Sequence, residues 1–254
     1  MIVLVAIKQI PDPLVPVRVK ADGSGVEIHD ARPVANPVDD NALEAALRLR
    51  ESGAAQGVIA VCVGPPEWEG TLRTALAMGA DRGIRIDAPD ALDPWPVARL
   101  LAALAVREGV SLILAGRQAV DRDQGMVGLL VAGLLGWGQV AFASGLEWEE
   151  ETGRCRVLRV VDGGQEVVTL RLPGVITVDP RLNTPRYASL PAIMRARGKS
   201  LESVSPGELG ENLSSDLEWL SVFLPAARKP GVRVGDVAEL AACLRALGVV
   251  ACRS

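Results

Sequence analysis

Three apolar runs, Ile2–Ile7, Gly57–Val63 and Leu112–Gly116, are separated by segments with helical spacing, and this alternation most constrains how the chain can fold. The connections are far too long for hairpins, so the strands pair in parallel through right-handed crossovers. Asn36-Pro37 introduces the first helix, whose stripe is Leu43, Ala46, Leu47 and Arg50 and which stops near Gly53. Asn41 followed by Glu44 reads there as a capping box, and the Asp39-Asp40 pair reads as helix N-capping rather than as catalytic carboxylates. Glu67 to Met78 is a second helix stopped by Gly79, with Leu72, Ala75 and Leu76 inward. Ile84–Ile86 is a short strand, and Asp93-Pro94 caps a third helix with Val97, Leu100, Leu101 and Leu104 on its apolar stripe. Strands that are apolar throughout are covered on both faces. With 49% hydrophobic but only 3% aromatic residues, that core must be built from Ala, Val and Leu.

After Gly136 the grammar changes. Gln139–Trp148, Arg154–Val161 and Gln165–Leu172 are strand-like runs joined by turns so short that they force antiparallel pairing. Val175–Val178 reads as one more strand, returning to the main sheet. Near the N-terminus, Val17–Lys20 suggests an edge hairpin closed through Asp22–Gly25. The expected fold is therefore α/β: a mostly parallel, doubly wound, Rossmann-like sheet with an antiparallel insertion over about 139–172, and an extended C-terminal arm. The α/β domain covers 1–180. The arm and C-terminal segment cover 181–254, with one helical turn at Leu190–Arg195, a loop at Ser203–Gly210, an ambiguous stretch at Trp219–Leu224, and a terminal helix at Asp236–Leu247 whose Val237, Leu240, Leu244 and Leu247 point inward.

A balance of 27 basic against 31 acidic residues, net −4, speaks against a general polyanion binder. Cys62, Cys155, Cys243 and Cys252 form no C-x-x-C pair, which favours reduced buried thiols in a cytoplasmic protein over a disulfide frame or a zinc site. His29 is the only histidine and falls in a polar, hairpin-like stretch assigned to the surface, so neither a His-based metal centre nor a Ser-His-Asp triad is supported. No segment approaches the length of a membrane span. The expectation is no metal and no catalytic residues.

Two stretches carry functional content. The first follows the Leu112–Gly116 strand, where a polar loop holding Arg117, Gln118, Asp121, Asp123 and Gln124 leads into a helix with Val127, Leu130, Val131 and Leu134 at helical spacing. That loop lies at the carboxyl edge of the sheet, where ligands bind in open α/β folds, and a helix N-terminus attracts phosphate. It reads equally as an ordinary solvated loop, because it matches neither G-x-x-x-x-G-K-[ST] nor G-x-G-x-x-G. The second stretch, Arg181 to Lys199, has five basic residues and no acidic one. It also has Tyr187, Leu190, Ile193 and Met194, which favours an arm that docks on a partner over a solvated linker.

With those residues in view, residues 1 to about 210 resemble the electron-transfer flavoprotein β subunit family. The motifs are Val5-Ala-Ile-Lys8, Asn36-Pro37, Thr71-Leu-Arg-Thr-Ala-Leu-Ala-Met-Gly-Ala-Asp-Arg-Gly83, Gly116-Arg-Gln-Ala-Val-Asp121, Phe142-Ala-Ser144, Asp162-Gly-Gly164 and, above all, Asp179-Pro-Arg-Leu-Asn-Thr-Pro-Arg-Tyr-Ala-Ser-Leu-Pro-Ala-Ile-Met194. The resemblance implies a heterodimer whose α subunit holds most of the FAD at the interface, while this chain binds a structural AMP. Electrons would arrive from flavin dehydrogenases of the acyl-CoA dehydrogenase type and leave for a membrane quinone oxidoreductase. Carried over by position, the AMP pocket uses Ala6, Asn36, Pro37, Val38, Asp39, Val63, Ala115, Gly116, Arg117, Gln118, Ala119, Val120, Asp121, Arg122, Asp123, Gln124, Gly125, Met126 and Val127. The dehydrogenase-docking residues are Arg186, Tyr187, Leu190, Pro191, Ile193, Met194 and Arg195, with Leu190 as anchor and Arg186, Arg195 and Arg197 steering the encounter.

Two departures from the family pattern bear on the site. Gly125-Met126-Val127 stands where mitochondrial-type subunits have Asn-Gln-Thr at the phosphate, and Arg195-Ala-Arg-Gly-Lys199 replaces a lysine-rich run. Bifurcating relatives bind a second FAD in this pocket and oxidise NADH there. Arg117 and Val127 resemble that group, whereas Gly136-Trp137 and Phe142–Ser144 resemble the simple carriers, and Arg122 stands where bifurcating relatives have glycine. The expectation is AMP. A competing reading from another class is a stand-alone nucleotide-hydrolysing or nucleotide-transferring enzyme on the same kind of sheet.

Overall fold

The structure, a computed structural model, describes residues 1–27, 32–90, 92–215, 217–228 and 230–249. His29 and Cys252 lie outside them. In chain order the elements are strands β1 (Ile2–Ala6), β2 (Gln9–Pro11), β3 (Arg18–Val19), β4 (Val26–Glu27) and β5 (Pro33–Ala35), helix α1 (Pro37–Glu51), β6 (Gly57–Gly64), α2 (Glu69–Met78), β7 (Arg82–Asp87), α3 (Pro94–Arg107) and β8 (Leu112–Gly116). There follow α4 (Val127–Leu135), β9 (Gly138–Glu149), β10 (Arg154–Val161), β11 (Gly164–Arg171), β12 (Gly174–Val178), α5 (Leu190–Arg197), β13 (Glu202–Val204) and α6 (Val237–Ala246). No described helix is long and apolar enough to cross a membrane.

Nine strands form one sheet in the order β11-β10-β9-β12-β8-β1-β6-β7-β13. From β9 to β13 every neighbouring pair is parallel, and only the β9-β10-β11 extension is antiparallel. The alternation predicted from the sequence is thus the alternation observed, and the β12 strand does return to the main sheet. Consecutive residues of β1 divide between two cores: Val3 and Val5 face α1 and α2, while Leu4 faces α3 and α4. Ile59 and Val61 of β6 and Ile113 of β8 join Leu4 on the second face, and Val58, Ala60, Leu112 and Leu114 join the first. This explains why the strands are apolar at both parities: each parity fills a separate helix layer.

Several sequence expectations are corrected. Helix α1 starts at Pro37, with Asn36 at its N-cap and no side-chain capping bond, so Asn41 and Glu44 lie inside it and form no capping box. Proline at the first helical position sets that start, because its fixed φ suits the helix and its missing N–H costs nothing there. Asp39 and Asp40 occupy the first turn. Ser203 and Val204, expected to open a loop, belong instead with Glu202 to β13, which adds a parallel strand to the open edge of β7. The arm's expected single helical turn is the longer helix α5. The predicted terminal helix forms as α6, with Asp236 as its N-cap, but its Val237, Leu240 and Leu247, expected inward, are exposed. Of the thiols, Cys62 and Cys155 are free and buried, and Cys243 is free and exposed.

Candidate functional site

Chain direction reverses beside β1. The chain steps outward from β1 through β6 to β7, then crosses back over α3 to place β8 on the other side of β1. Such a switch point leaves a crevice at the carboxyl ends of the strands. Here the crevice encloses about 920 Å³ of space, open solvent at its mouth included. Among the predicted residues, Ala6, Asp39, Val63, Ala115, Gly116, Arg117, Gln118, Ala119, Arg122, Gln124, Gly125, Met126 and Val127 line it. Ile7, Lys8, Val61, Trp68, Pro89, Asp90, Leu92, Pro94, Val97, Leu101 and Gly128 also line it and were not foreseen. Val97 and Leu101 belong to the apolar stripe of α3, and a helical stripe carries no mark separating residues under a neighbouring strand from residues at a cavity wall.

Asn36, Pro37, Val38, Val120, Asp121 and Asp123 do not line the crevice, but several of them shape it. Asn36 is fully buried, and its Nδ2 donates to the Gln118 carbonyl (3.0 Å) while its Oδ1 accepts from the Val120 N–H (3.3 Å). One buried side chain therefore ties the 117–120 loop to the start of α1. Asp121 accepts from Lys8 Nζ (2.5 Å), and Asp123, at φ +56°, accepts from Gln118 Nε2. Gly125 at φ +60° completes the turn into α4, whose first N–H groups have no side-chain cap. Gly125 and Met126, ahead of the helix, and Val127 and Gly128, its first two residues, line the crevice.

Asp39 does something the sequence concealed. Its Oδ2 accepts from the Lys8 N–H (2.9 Å) and its Oδ1 from the Gly116 N–H (3.0 Å), clamping the ends of β1 and β8 together. Burial drives its carboxyl up to about 7 against the pull of those hydrogen bonds, and burial likewise raises neighbouring Asp40 to about 6. A Cβ on Gly116 would sit 2.3 Å from Asp39 Oδ1 and 3.1 Å from backbone atoms of Asp39 and Val38, so only glycine fits. On the β12 side, Arg117 donates to Asp179 (2.7 Å) and lies over the Phe142 ring at 5.8 Å. Arg181 also donates to Asp179 and, with Arg117, holds that carboxyl below its usual range. Arg122 donates to the Leu92 carbonyl (3.1 Å) and stacks over Trp219 at 5.8 Å, closing one side of the crevice.

The 181–199 stretch forms a second surface. Tyr187 (99% exposed), Leu190 (72%), Met194 (57%) and Ile193 (38%) stand out from α5 and the turn before it, with Pro191 and Arg195 also exposed. Their backbone is firmly seated. Arg73 Nη1 donates to the carbonyls of Ala196, Arg197 and Lys199 (3.2, 3.1 and 3.3 Å), and Asn41 exchanges hydrogen bonds with Asn183. Arg186 is not a free steering charge. It is committed to Glu44 (2.7 Å) and Glu51 (2.5 Å), whereas the other two expected steering residues, Arg195 and Arg197, are exposed.

A doubly wound sheet with a crevice over its switch point defines an open α/β protein of the kind whose ligands bind at the carboxyl ends of the strands. A family model described as "Electron transfer flavoprotein domain" matches residues 25–209. The chain is 46% identical over 243 residues to "Electron transfer flavoprotein subunit beta" of Bradyrhizobium diazoefficiens, covering 96% of this chain and 97% of that one. It is 46% identical over 250 residues to the human protein of that name, covering 97% of each, and 46% identical to "Electron transfer flavoprotein subunit beta, mitochondrial" of Arabidopsis thaliana, over 94% of this chain and 95% of that one. The chain belongs to the electron transfer flavoprotein family, and the relatives it matches nearly end to end are β subunits.

Proposed function

We propose that this chain is the β half of a heterodimeric electron carrier and that its switch-point crevice holds AMP in a structural role. The observation that carries the reading is the division of the crevice into two ends. The α4 N-terminus offers uncapped N–H donors where Gly125-Met126-Val127 replaces side-chain phosphate ligands, which suits a phosphate bound by backbone alone. The other end, walled by Val61, Val63, Trp68, Val97 and Leu101, suits a base. Arg122, held by Leu92 and Trp219, narrows the side on which a second flavin would extend.

The redox group in this reading is FAD held mainly by an α subunit at the shared interface, and it supplies the electron chemistry. This chain's residues build the nucleotide crevice and present the surface around Leu190 to a flavin dehydrogenase of the acyl-CoA dehydrogenase type. A quinone oxidoreductase then takes the electrons onward. One measurement tests the assignment: the αβ pair, gently purified, extracted and quantified for nucleotides, should release one FAD and one AMP. Two FAD per pair overturns it in favour of a bifurcating subunit.

A further inference from the structure

Among the motifs that carry the family resemblance, Thr71–Gly83 has no residue in the wall of the crevice. It forms most of α2 and the start of β7, and α2 holds the C-terminal end of α5, the helix that displays the docking side chains. Helix α5 has little else to hold it. Of its eight residues only Ala196 is buried, while Leu190, Ile193 and Met194 are exposed, so hydrophobic burial contributes little to its seat. A helix this short does not persist without outside contacts. Polar contacts supply them. Gly198, at the C-cap, keeps a right-handed φ of −88°, so the left-handed turn that commonly satisfies the last helical carbonyls does not form. Arg73 of α2 takes its place: Nη1 donates to the carbonyls of Ala196, Arg197 and Lys199 (3.2, 3.1 and 3.3 Å), and the guanidinium sets a cation at the negative end of the helix. Lys199 Nζ adds a bond to the Ala80 carbonyl just beyond α2 (3.3 Å). Ahead of α5, Arg186 is gripped by Glu44 and Glu51 of α1.

Resting on the docking reading above, we propose that Arg73 is a positioning residue for reduction by the dehydrogenase: through the last turn of α5 it fixes the seat from which Leu190, Ile193 and Met194 meet the partner. Its charge is already engaged by the three carbonyls and by Glu69 at 3.8 Å, which argues against a free steering cation. A docking surface held in one orientation before the encounter avoids the ordering cost that a mobile one incurs on binding. Arg73 thus acts on docking through α5.

The test is a double-mutant cycle in the assembled αβ carrier, reduced at steady state by an acyl-CoA dehydrogenase with its acyl-CoA substrate, using Arg73→Gln, Leu190→Ala and the two combined. Arg73→Gln should raise KM for the carrier about fivefold with kcat little changed, and by about twofold or less when Leu190 is already alanine. Hydrogen exchange on the carrier alone should show faster exchange of the α5 amides in Arg73→Gln than in the wild type. A KM that rises by the same factor in both backgrounds overturns the inference, because a charge acting directly on the partner does not need Leu190. Unchanged exchange in α5 overturns it as well. If Leu190→Ala leaves KM unchanged, the docking reading fails and this inference fails with it. That result is distinct from a KM that responds to Leu190→Ala and not to Arg73→Gln, which overturns the inference alone. Should the Arg73→Gln carrier not assemble, Arg73→Lys, a shorter side chain with its charge intact, carries the same cycle with the same outcomes.

Discussion

Under the proposed function, replacing Leu190 with alanine isolates what one exposed side chain would contribute to docking. Leu190 is the first residue of α5 and 72% exposed, so its side chain does little for the fold of its own chain. Helix initiation rests instead on Ser189, whose Oγ accepts from the Ala192 N–H, and on Pro191 in the first turn. Fully burying a leucine is worth about 1.5–3 kcal/mol, so a docking pocket that covers the remaining 72% gains about 1.1–2.2 kcal/mol. That predicts a rise of about six- to fortyfold in KM for the carrier in steady-state reduction by its dehydrogenase, with kcat little changed. Contact strength of this order suits a shuttle that must also leave. Leu190→Ala should keep the αβ pair assembled with its flavin in place, as judged by gel filtration and absorbance. An unchanged KM, or a variant that loses its partner or flavin while the intact remainder transfers normally, would refute the reasoning and make Leu190 a packing residue.

Gly116→Ala forces a Cβ to 2.3 Å from Asp39 Oδ1 beside unyielding backbone, and should cost about 1–3 kcal/mol in urea unfolding while depleting bound nucleotide. Glu44→Ala leaves Arg186 with only Glu51. Burial works to raise the Glu44 carboxyl, but the donors on Arg186 and Arg48 outweigh it and hold it low. Because Arg186 is a third exposed, the expected loss is about 1–2 kcal/mol, seen as a fall of about 2–8 °C in Tm, together with faster proteolysis across 183–189. Asp39 and Asp40, pushed up by burial to about 7 and about 6 from an ordinary 3.8, keep protons in the folded state that the unfolded chain releases. Their contribution is therefore greatest below about pH 4 and declines until about pH 7. Between pH 5 and 7 an Asp40→Asn variant should lose less stability on raising pH than the wild type does, and equal slopes in urea titrations would contradict the assignment.

How far the sequence could be read follows from what each element is made of. Strands β1, β6 and β8 are apolar at both parities and separated by crossovers, which leaves the main sheet order little freedom, and the 115–127 loop inherits its position at the carboxyl edge from that order. Asp39 was opaque for the opposite reason. Its partners Lys8 and Gly116 stand 31 and 77 residues away, and a Pro-x-Asp-Asp run at a helix start resembles ordinary capping until the strand ends meet there. Asn41 and Glu44 imitate a capping box by spacing alone, while their partners Asn183 and Arg186 lie 142 residues further along. Strand β13 is three residues long and has no period to detect, since the unpaired edge of β7 specifies it.

The terminal helix marks a different boundary to inference. Val237, Leu240, Leu244 and Leu247 recur at helical spacing, and the helix forms with Asp236 capping it, so the periodicity was read correctly as local structure. The burial inferred from it fails within this chain, where Val237 is 81% and Leu247 75% exposed. Hydrophobic periodicity reports that a face is built to be covered, and it carries no information on which chain does the covering. Leu220 and Phe223, ahead of the helix, are as exposed, so the apolar content of the segment after β13 is directed outward along much of its length. In β11 the same rule appears in strand form: of Val167, Val168 and Leu170, only Leu170 is fully buried in the core, and Val167 on the opposite face stays half exposed. Sequence patterning thus predicts a chain's own core where two helix layers close over a sheet, as around β1, and predicts only an open face where one layer is missing.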